Sequence, residues 1–227
     1  MAIFDLNEAR AADIMGAIGD DKVFFWKVNA ADEDAVRKAV QEVTENHGEI
    51  HVLNNFAGIG TACKTVNRGG PFPMDQWQPV LDVNLTGTFN VARYVAAQMA
   101  KNEPVTKDGG RGVIIHTASV AAYEGQVGQL AYSASKGGVV AMTLPMARDL
   151  GSLGIRVNTI VPGLIYTPLV EAMMTEQVHE SLHDSLVFPK RQGSPEEIAH
   201  LAVFMVENDY LNGECIRLDA AIRMKPR

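Results

Sequence analysis

Cysteine is scarce in this sequence: only Cys63 and Cys215 occur among 227 residues. Two cysteines provide neither a disulfide framework nor the spacing of a metal site, so we predict free thiols in a reducing compartment. No apolar run approaches the roughly 18 residues of a transmembrane helix. The N-terminus has neither the apolar core of a signal peptide nor an arginine-rich presequence.

A basic surplus is lacking too, since 20 Lys and Arg stand against 27 Asp and Glu, for a net charge of −7. This balance opposes unaided binding to nucleic acid or an anionic membrane, because nothing neutralises the phosphates. Hydrophobic residues make up 47%, which is enough for a sizeable core. We predict one α/β domain over residues 1–227.

Short apolar runs of strand length alternate with amphipathic segments of helix length along the chain. The alternation predicts a parallel sheet with helices on both faces. The predicted strands lie at 1–5, 23–28, 50–55, 112–117, 155–160 and 214–218. The predicted helices lie at 8–18, 32–46, 74–101, 132–150 and 195–207. Loops rich in Gly, Asn and Pro are predicted at 61–73 and 102–111.

The string Tyr-Ser-Ala-Ser-Lys places Tyr132 and Lys136 on one face of a helix. A tyrosine titrates near pH 10, so it is a poor acid–base group at neutral pH unless a cation stabilises its phenolate. Ser119 follows an apolar strand, where its hydroxyl can bind a substrate oxygen while the tyrosine exchanges a proton. The alternative is a chance pair on a helix surface and an ordinary strand-end serine.

The order and spacing of Asn84, Ser119, Tyr132, Lys136 and the turn at 162–163 resemble the short-chain dehydrogenase/reductase family. The resemblance extends over nearly the whole chain. The strings at 112–129 and 211–224 are similar to those of members that act on 3-hydroxyacyl-CoA or hydroxysteroids. The resemblance implies a single-domain α/β fold with a Rossmann-type doubly wound parallel sheet. It also implies an NAD-dependent oxidoreductase that interconverts a secondary alcohol and a ketone.

The resemblance further implies a role for each of four residues. Tyr132 is the acid–base group at the substrate, and Lys136 lowers the tyrosine pKa and binds the nicotinamide ribose. Ser119 holds the substrate oxygen, and Asn84 fixes a water molecule in a proton relay. Each residue also has a plain structural alternative, as a helix-face tyrosine, a solvated lysine, a strand-end serine and a helix asparagine.

Contacts with the adenosine half of the cofactor are implied for Asp5, Asn29 and Ala30. Asp5 ends the first strand, where a carboxylate accepts hydrogen bonds from both ribose hydroxyls and repels a 2′-phosphate, which favours NAD over NADP. A helix-capping aspartate is the alternative. Asn29 stands where the family usually has an aspartate that contacts the adenine amine, and Ala30 offers its backbone amide.

Contacts with the rest of the cofactor are implied for Phe56, Ala57, Gly58, Ile165 and Thr167. Gly58 permits a close backbone approach, although Phe56 replaces a smaller residue of the family pattern. Ile165 lines the nicotinamide pocket and Thr167 binds the carboxamide. The alternatives are a tight turn at 54–58 and a helix N-cap at Thr167.

The glycine-rich unit of the family, a strand, the turn T-G-x-x-x-G-x-G and a helix, is not found in this sequence. We therefore expect an N-terminally truncated domain with a gap at the centre of its sheet, between the strands that end at Asp5 and Asn55. Two hypotheses follow. The chain is either an enzyme that becomes competent when this unit is present, or a non-catalytic family member that acts through oligomerisation or protein contacts.

The substrate and partners are expected from weaker signals. Apolar residues between 164 and 188 can cover an acyl chain or a steroid, or they can form plain core. The resemblance implies a dimer or tetramer built on the helices 74–101 and 132–150, and a mitochondrial location, with the cytoplasm as the alternative. The apolar residues are Met173, Met174, Val178, Leu182, Leu186 and Val187, and the small helix residues are Ala134, Gly137, Gly138 and Ala141. His179 and His183 lack a third ligand, so no metal is expected.

Overall fold

The computed structural model describes residues 1–19, 21–167 and 185–226, and its main strands are parallel. The strands are β1 (Ala2–Asp5), β2 (Phe24–Lys27), β3 (Val52–Asn55), β4 (Val66–Asn67), β5 (Gly70–Pro71), β6 (Gly112–Thr117), β7 (Ile155–Pro162) and β8 (Cys215–Leu218). One two-stranded sheet pairs β1 with β2, and a four-stranded sheet has the order β3-β6-β7-β8. The predicted α/β class with a parallel sheet is confirmed.

Three of the helices begin at residues whose side chains satisfy free backbone N–H groups. Asn7 accepts from the amide of Arg10, Asp32 accepts from that of Ala35, and Ser194 forms a capping box with Glu197. The helices are α1 (Glu8–Ile18), α2 (Glu33–His47), α3 (Met74–Leu81), α4 (Thr88–Met99), α5 (Ala121–Glu124), α6 (Leu130–Gly151) and α7 (Pro195–Glu207).

The uninterrupted helix predicted at 74–101 is wrong, because a π-helical turn at Asp82–Gly87 separates α3 from α4. The hydroxyl of Thr88 donates to the carbonyl of Asn84 at 2.7 Å, which gives that carbonyl a partner inside the widened turn. Such turns are frequent at functional sites. The loop predicted at 61–73 is also not wholly irregular, since β4 and β5 pair antiparallel around a turn.

Alternate residues of the central strands bury opposite faces of the four-stranded sheet, as a pleated strand requires. Ile114 and Val157 pack into a core with α2 and α4. Val113, Ile115 and Ile160 pack against α7 on the other side. Helices on both faces are therefore confirmed, and they leave the carboxyl ends of the strands to carry the site.

The two parallel sheets are not joined by a hydrogen-bonded ladder. Within the described residues, β1 pairs only with β2, and β3 pairs only with β6. One edge of β1 and one edge of β3 thus have no strand partner there. A further strand between them would remove both open edges. That a glycine-rich strand–turn–helix unit belongs at this place stays a prediction.

Candidate active site

Tyr132 and Ser119 meet beyond the carboxyl end of β6. Tyr132 is half-buried in the first turn of α6, and its hydroxyl lies near enough to that of Ser119 for the serine to affect its pKa. Burial raises the pKa of Tyr132, and the Ser119 hydroxyl lowers it. Ser119 also accepts from the amide of Ala121 at 3.2 Å, which fixes its oxygen. Two hydroxyls near each other can bind one oxygen atom of a substrate.

Lys136 lies one helical turn after Tyr132 and is only 3% exposed. Its Nζ donates to the carbonyl of Thr117 at 2.8 Å and lies 5.8 Å from the centroid of the Tyr132 ring. Burial lowers the pKa of Lys136 to about 8. The shift of the Tyr132 pKa has burial as its main cause, so the lowering of that pKa by Lys136 stays a prediction.

Asn84 is fully buried in the π-helical turn and holds the loop that follows β3. Its Oδ1 accepts from the amide of Ile59 at 2.8 Å, and its Nδ2 donates to the carbonyl of the same residue at 2.8 Å. A Cβ on Gly58 would lie 3.5 Å from both Asn84 Oδ1 and Lys136 Nζ. The structure thus brings Gly58, Asn84 and Lys136 together around one space.

The segment that leads from β3 to Gly58 is held by buried hydrogen bonds of Asn55, whereas the next two residues are exposed. Asn55 donates to the carbonyl of Thr88 at 3.3 Å, and its Nδ2 lies 3.2 Å from Nδ1 of His116. His116 is fully buried, and burial, followed by the charge of Lys136, lowers its pKa to about 4. The side chain of Phe56 is 51% exposed and Ala57 is exposed too, so both are accessible to a ligand.

Asp5 stands exposed at the carboxyl end of β1, as the sequence predicts for a ribose ligand. Its Oδ1 accepts from the backbone amide of Asn7 at 2.8 Å. The alternative that Asp5 caps α1 is wrong, because Asn7 is the capping residue.

The residues predicted to contact adenine follow β2. The Oδ1 of Asn29 accepts from the amide of Ala31 at 3.0 Å, which stabilises a tight turn. Asn90 of α4 donates to the carbonyl of Ala30 at 2.9 Å. A Cβ on Gly87 would lie 3.1 Å from the Cβ of Ala30, so the end of the π-helical turn also packs against this turn at close range. The sequence did not indicate either Asn90 or Gly87.

Ile165 and Thr167, which are predicted to flank the nicotinamide, follow β7 in the chain. Ile165 is buried and pairs with Gly193 in a parallel bridge, whereas Thr167 is half-buried. A Cβ on Gly163 would lie 2.7 Å from the Cα of Asp219, so the turn predicted at 162–163 requires its glycine. Met173, Met174, Val178, His179, Leu182 and His183 lie outside the described residues. Leu186 is buried and Val187 is exposed.

Three further buried polar residues support the site, and sequence reasoning did not single them out: His116, Asn90 and Ser135. Ser135 was visible inside the string Tyr-Ser-Ala-Ser-Lys, but the string alone does not say which serine is buried. The part of the chain described contains no helix long and apolar enough to cross a membrane. Over the same residues, no group of three or more His, Cys, Asp or Glu side chains forms a metal site.

Known proteins are similar to this chain in sequence and in fold. A family model described as enoyl-(acyl carrier protein) reductase matches residues 1–221. The 3-hydroxyacyl-CoA dehydrogenase type-2 of Homo sapiens is 53% identical over 204 residues, which are 89% of this chain and 77% of that protein.

Two crystal structures share the fold. The 3-hydroxyacyl-CoA dehydrogenase type-2 of Mycobacterium avium is 40% identical with a TM-score of 0.89, over 100% of this chain and 87% of its own. A gluconate 5-dehydrogenase of Burkholderia cenocepacia, solved with NADP and tartrate, is 29% identical with a TM-score of 0.83, over 96% and 83% of the two chains.

Proposed function

The chain belongs to the short-chain dehydrogenase/reductase family of oxidoreductases, and on that premise we propose that it interconverts a secondary alcohol and a ketone with NAD. The observation that carries the proposal is the buried ammonium of Lys136, 5.8 Å from the centroid of the Tyr132 ring, with the hydroxyl of Ser119 near that of Tyr132. The three groups supply a proton-exchanging hydroxyl, a second hydrogen bond to the substrate oxygen and a positive charge.

Residues around the pair fit a nicotinamide cofactor. Lys136 uses one of its three N–H groups on Thr117, within the described residues, so donors remain for ribose hydroxyls. Gly58 leaves room beside the ammonium for a close approach. Ile165 and Thr167 would flank the nicotinamide, Asn29 and Ala30 would contact the adenine, and Phe56 and Ala57 would line the path between them.

The roles of the side chains follow from this arrangement. The cofactor, when bound, accepts or returns a hydride at the carbinol carbon. In the oxidation direction Tyr132 takes the hydroxyl proton of the substrate, and in reduction it gives one back. Ser119 donates to the same oxygen and so orients it. Lys136 favours the phenolate by its charge, and Asn84 would hold a water molecule that passes the proton on.

The exposed carboxylate of Asp5 supports NAD as the cofactor, since a 2′-phosphate would be repelled by it. The relative solved with NADP makes this a point to test. We expect Asp5→Ser to raise kcat/KM with NADP relative to NAD. An unchanged preference for NAD over NADP after this substitution would show that Asp5 does not distinguish the two cofactors at the ribose.

We infer that the substrate is a 3-hydroxyacyl-CoA or a hydroxysteroid. Relatives named for the first of these are 46 to 53% identical to this chain. The apolar residues predicted to cover such a substrate all lie between 164 and 188, and most of them are outside the described residues.

The open edges of β1 and β3 bear on how the cofactor is held. We propose that a glycine-rich strand–turn–helix unit between these strands binds the pyrophosphate, at the N-terminus of its helix. Residues 1–227 alone should then bind NAD weakly, and the affinity should rise when such a unit precedes Asp5. Equal affinity with and without the unit would refute this part.

The test of the function is NADH formation, followed at 340 nm, with 3-hydroxybutyryl-CoA or a hydroxysteroid and either cofactor. Tyr132→Phe should lower kcat by about 10²- to 10⁴-fold, because the proton-exchanging group is lost. Tyr123→Phe is the matched control, since Tyr123 lies on α5, outside the pair. Retained turnover in Tyr132→Phe, or none in any form of the wild-type protein, would refute the proposal.

Assembly and location are proposed on slighter grounds. We infer a homo-oligomer, dimer or tetramer, because the apolar side chains of Phe89 on α4 and of Leu130 and Leu144 on α6 are nearly half exposed. Of the small residues on α6, Gly138 packs inside the chain, where a Cβ would clash with Leu85, whereas Ala134 and Ala141 are exposed. A mitochondrial location is proposed by family resemblance. Light scattering and organelle fractionation test the two statements.

A further inference from the structure

Ser135 is a buried serine of α6 that the four predicted catalytic residues leave unexplained. Ser135 is fully buried. In the sequence it stands between Tyr132 and Lys136. Its hydroxyl makes two hydrogen bonds. It donates to the backbone carbonyl of Tyr132 at 2.7 Å, and it accepts from Nδ2 of Asn84 at 3.0 Å. Ser135 therefore links the turn that carries Tyr132 to the turn that carries Asn84.

The directions of these bonds are fixed by the number of protons available. A serine hydroxyl has one proton, and the Tyr132 carbonyl can only accept, so the Ser135 oxygen presents lone pairs to Asn84. The amide proton of Ile59 requires the oxygen of Asn84 to face it. The two Nδ2 protons of Asn84 then go to the carbonyl of Ile59 and to Ser135. Neither side chain can turn over without losing a bond.

The orientation of Asn84 matters because of what lies beside it. Its Oδ1 and the Nζ of Lys136 border the same space, since a Cβ on Gly58 would be 3.5 Å from each. An acceptor on this space favours the ammonium that borders it, whereas an amide group turned the other way would place a donor there. The position of the Asn84 oxygen thus affects how the charge of Lys136 is held near Tyr132.

We propose that Ser135 is a positioning residue of the reaction. It fixes the orientation of the Asn84 side-chain amide relative to Tyr132 and Lys136. The inference rests on the proposed function, because it assigns Ser135 a part in that same site. Ser135 touches neither the substrate oxygen nor the cofactor in this role. It acts indirectly, through the hydrogen bond that it accepts from Asn84.

Ser133 provides a matched control on the same helix. Its Oγ is also buried, yet it has no hydrogen-bond partner among the described residues. Removing the hydroxyl of Ser133 therefore costs no bond, whereas removing that of Ser135 leaves a buried proton of Asn84 unpaired. The two Ser→Ala changes delete the same atom from the same helix, but only the change at Ser135 breaks hydrogen bonds.

The experiment compares Ser135→Ala, Ser133→Ala, Asn84→Ala and the double variant Ser135→Ala/Asn84→Ala in the form of the protein that turns substrate over. We measure kcat, the KM for NAD and 3-hydroxybutyryl-CoA, and the pH profile of kcat. Ser135→Ala should lower kcat about tenfold with the KM values nearly unchanged, and it should move the pH profile. Ser133→Ala should behave as wild type. The double variant should be no slower than Asn84→Ala, because residues acting through one another are not additive.

Several results would overturn the inference: an equal loss of kcat in Ser133→Ala, an additive loss in the double variant, or a lower melting temperature of Ser135→Ala with unchanged kcat. Absence of turnover in the wild type would instead contradict the proposed function. The hydrogen bond itself can then be followed by NMR, as hydrogen exchange of the Asn84 side-chain amide. Ser135→Ala should speed that exchange and Ser133→Ala should not, and unchanged exchange in Ser135→Ala would refute the hydrogen bond.

Discussion

Lys136→Met should stabilise the protein at neutral pH while it removes the charge that the reaction needs. Methionine has nearly the length of the lysine side chain, and its thioether can remain buried without a partner. The wild-type ammonium is 3% exposed, with the carbonyl of Thr117 as its hydrogen-bond acceptor. A buried charge with so few partners costs folding free energy.

The magnitude follows from the pKa. Burial lowers the pKa of Lys136 from 10.5 to about 8, and one pKa unit corresponds to about 1.4 kcal/mol. The charged form therefore costs about 3 kcal/mol of stability. Loss of the hydrogen bond to Thr117 offsets about 1.5 to 3 kcal/mol of this in the variant. The net gain expected for Lys136→Met at pH 7 is about 1 kcal/mol.

The pH dependence gives the sharper test. The unfolded chain keeps the lysine proton up to about pH 10.5, whereas the folded chain loses it near pH 8. Between these values the unfolded state binds more protons, so this group makes the wild type more stable as the pH rises. The advantage of Lys136→Met should be full below about pH 8, and since the wild type gains about 3 kcal/mol toward pH 10.5, the variant should there be about 2 kcal/mol less stable than wild type.

Urea denaturation of both proteins at intervals from pH 7 to pH 10.5 measures this difference, and groups common to both cancel. Lys136→Arg is the control that keeps a charge over the whole range, so its stability relative to wild type should fall as the pH rises. A difference between Lys136→Met and wild type that is independent of pH would refute the argument from burial. Turnover by Lys136→Met at the wild-type rate would refute the role of the charge.

Two further predictions concern the support of the cofactor site. His116 has a pKa of about 4 when folded, against an ordinary value of 6.5, so the unfolded chain alone takes up a proton as the pH falls between these values. Stability should fall there by up to about 1.4 kcal/mol per pH unit, and His116→Gln should flatten the slope in acid denaturation; an unchanged slope would contradict this. Asn90→Ala should raise the dissociation constant of NAD several-fold with kcat at saturation retained, because only the support of Ala30 is lost. Calorimetric titration and saturation kinetics check this, and a loss confined to kcat would argue against it.

Local signals and packing contribute different parts of this structure. The alternation of apolar runs and amphipathic segments predicted α1 and α7 at their observed bounds, and a capping box at Ser194 accounts for the start of α7. These signals are local, because capping and amphipathic periodicity involve residues within about a turn of each other. The π-helical turn that ends at Gly87 escaped prediction, and its close contact with Ala30, far away in the chain, leaves no local pattern.

The sequence by itself determined the α/β alternation and the order of Asn84, Ser119, Tyr132 and Lys136, since both are properties of spacing along the chain. Only the tertiary structure decided which polar groups hold them. Asn84 bonds across 25 residues to the loop after β3 and across 51 residues to Ser135, and Asn90 bonds across 60 residues to Ala30. Such contacts depend on how the helices pack on the sheet. Local sequence patterns do not predict such long-range packing.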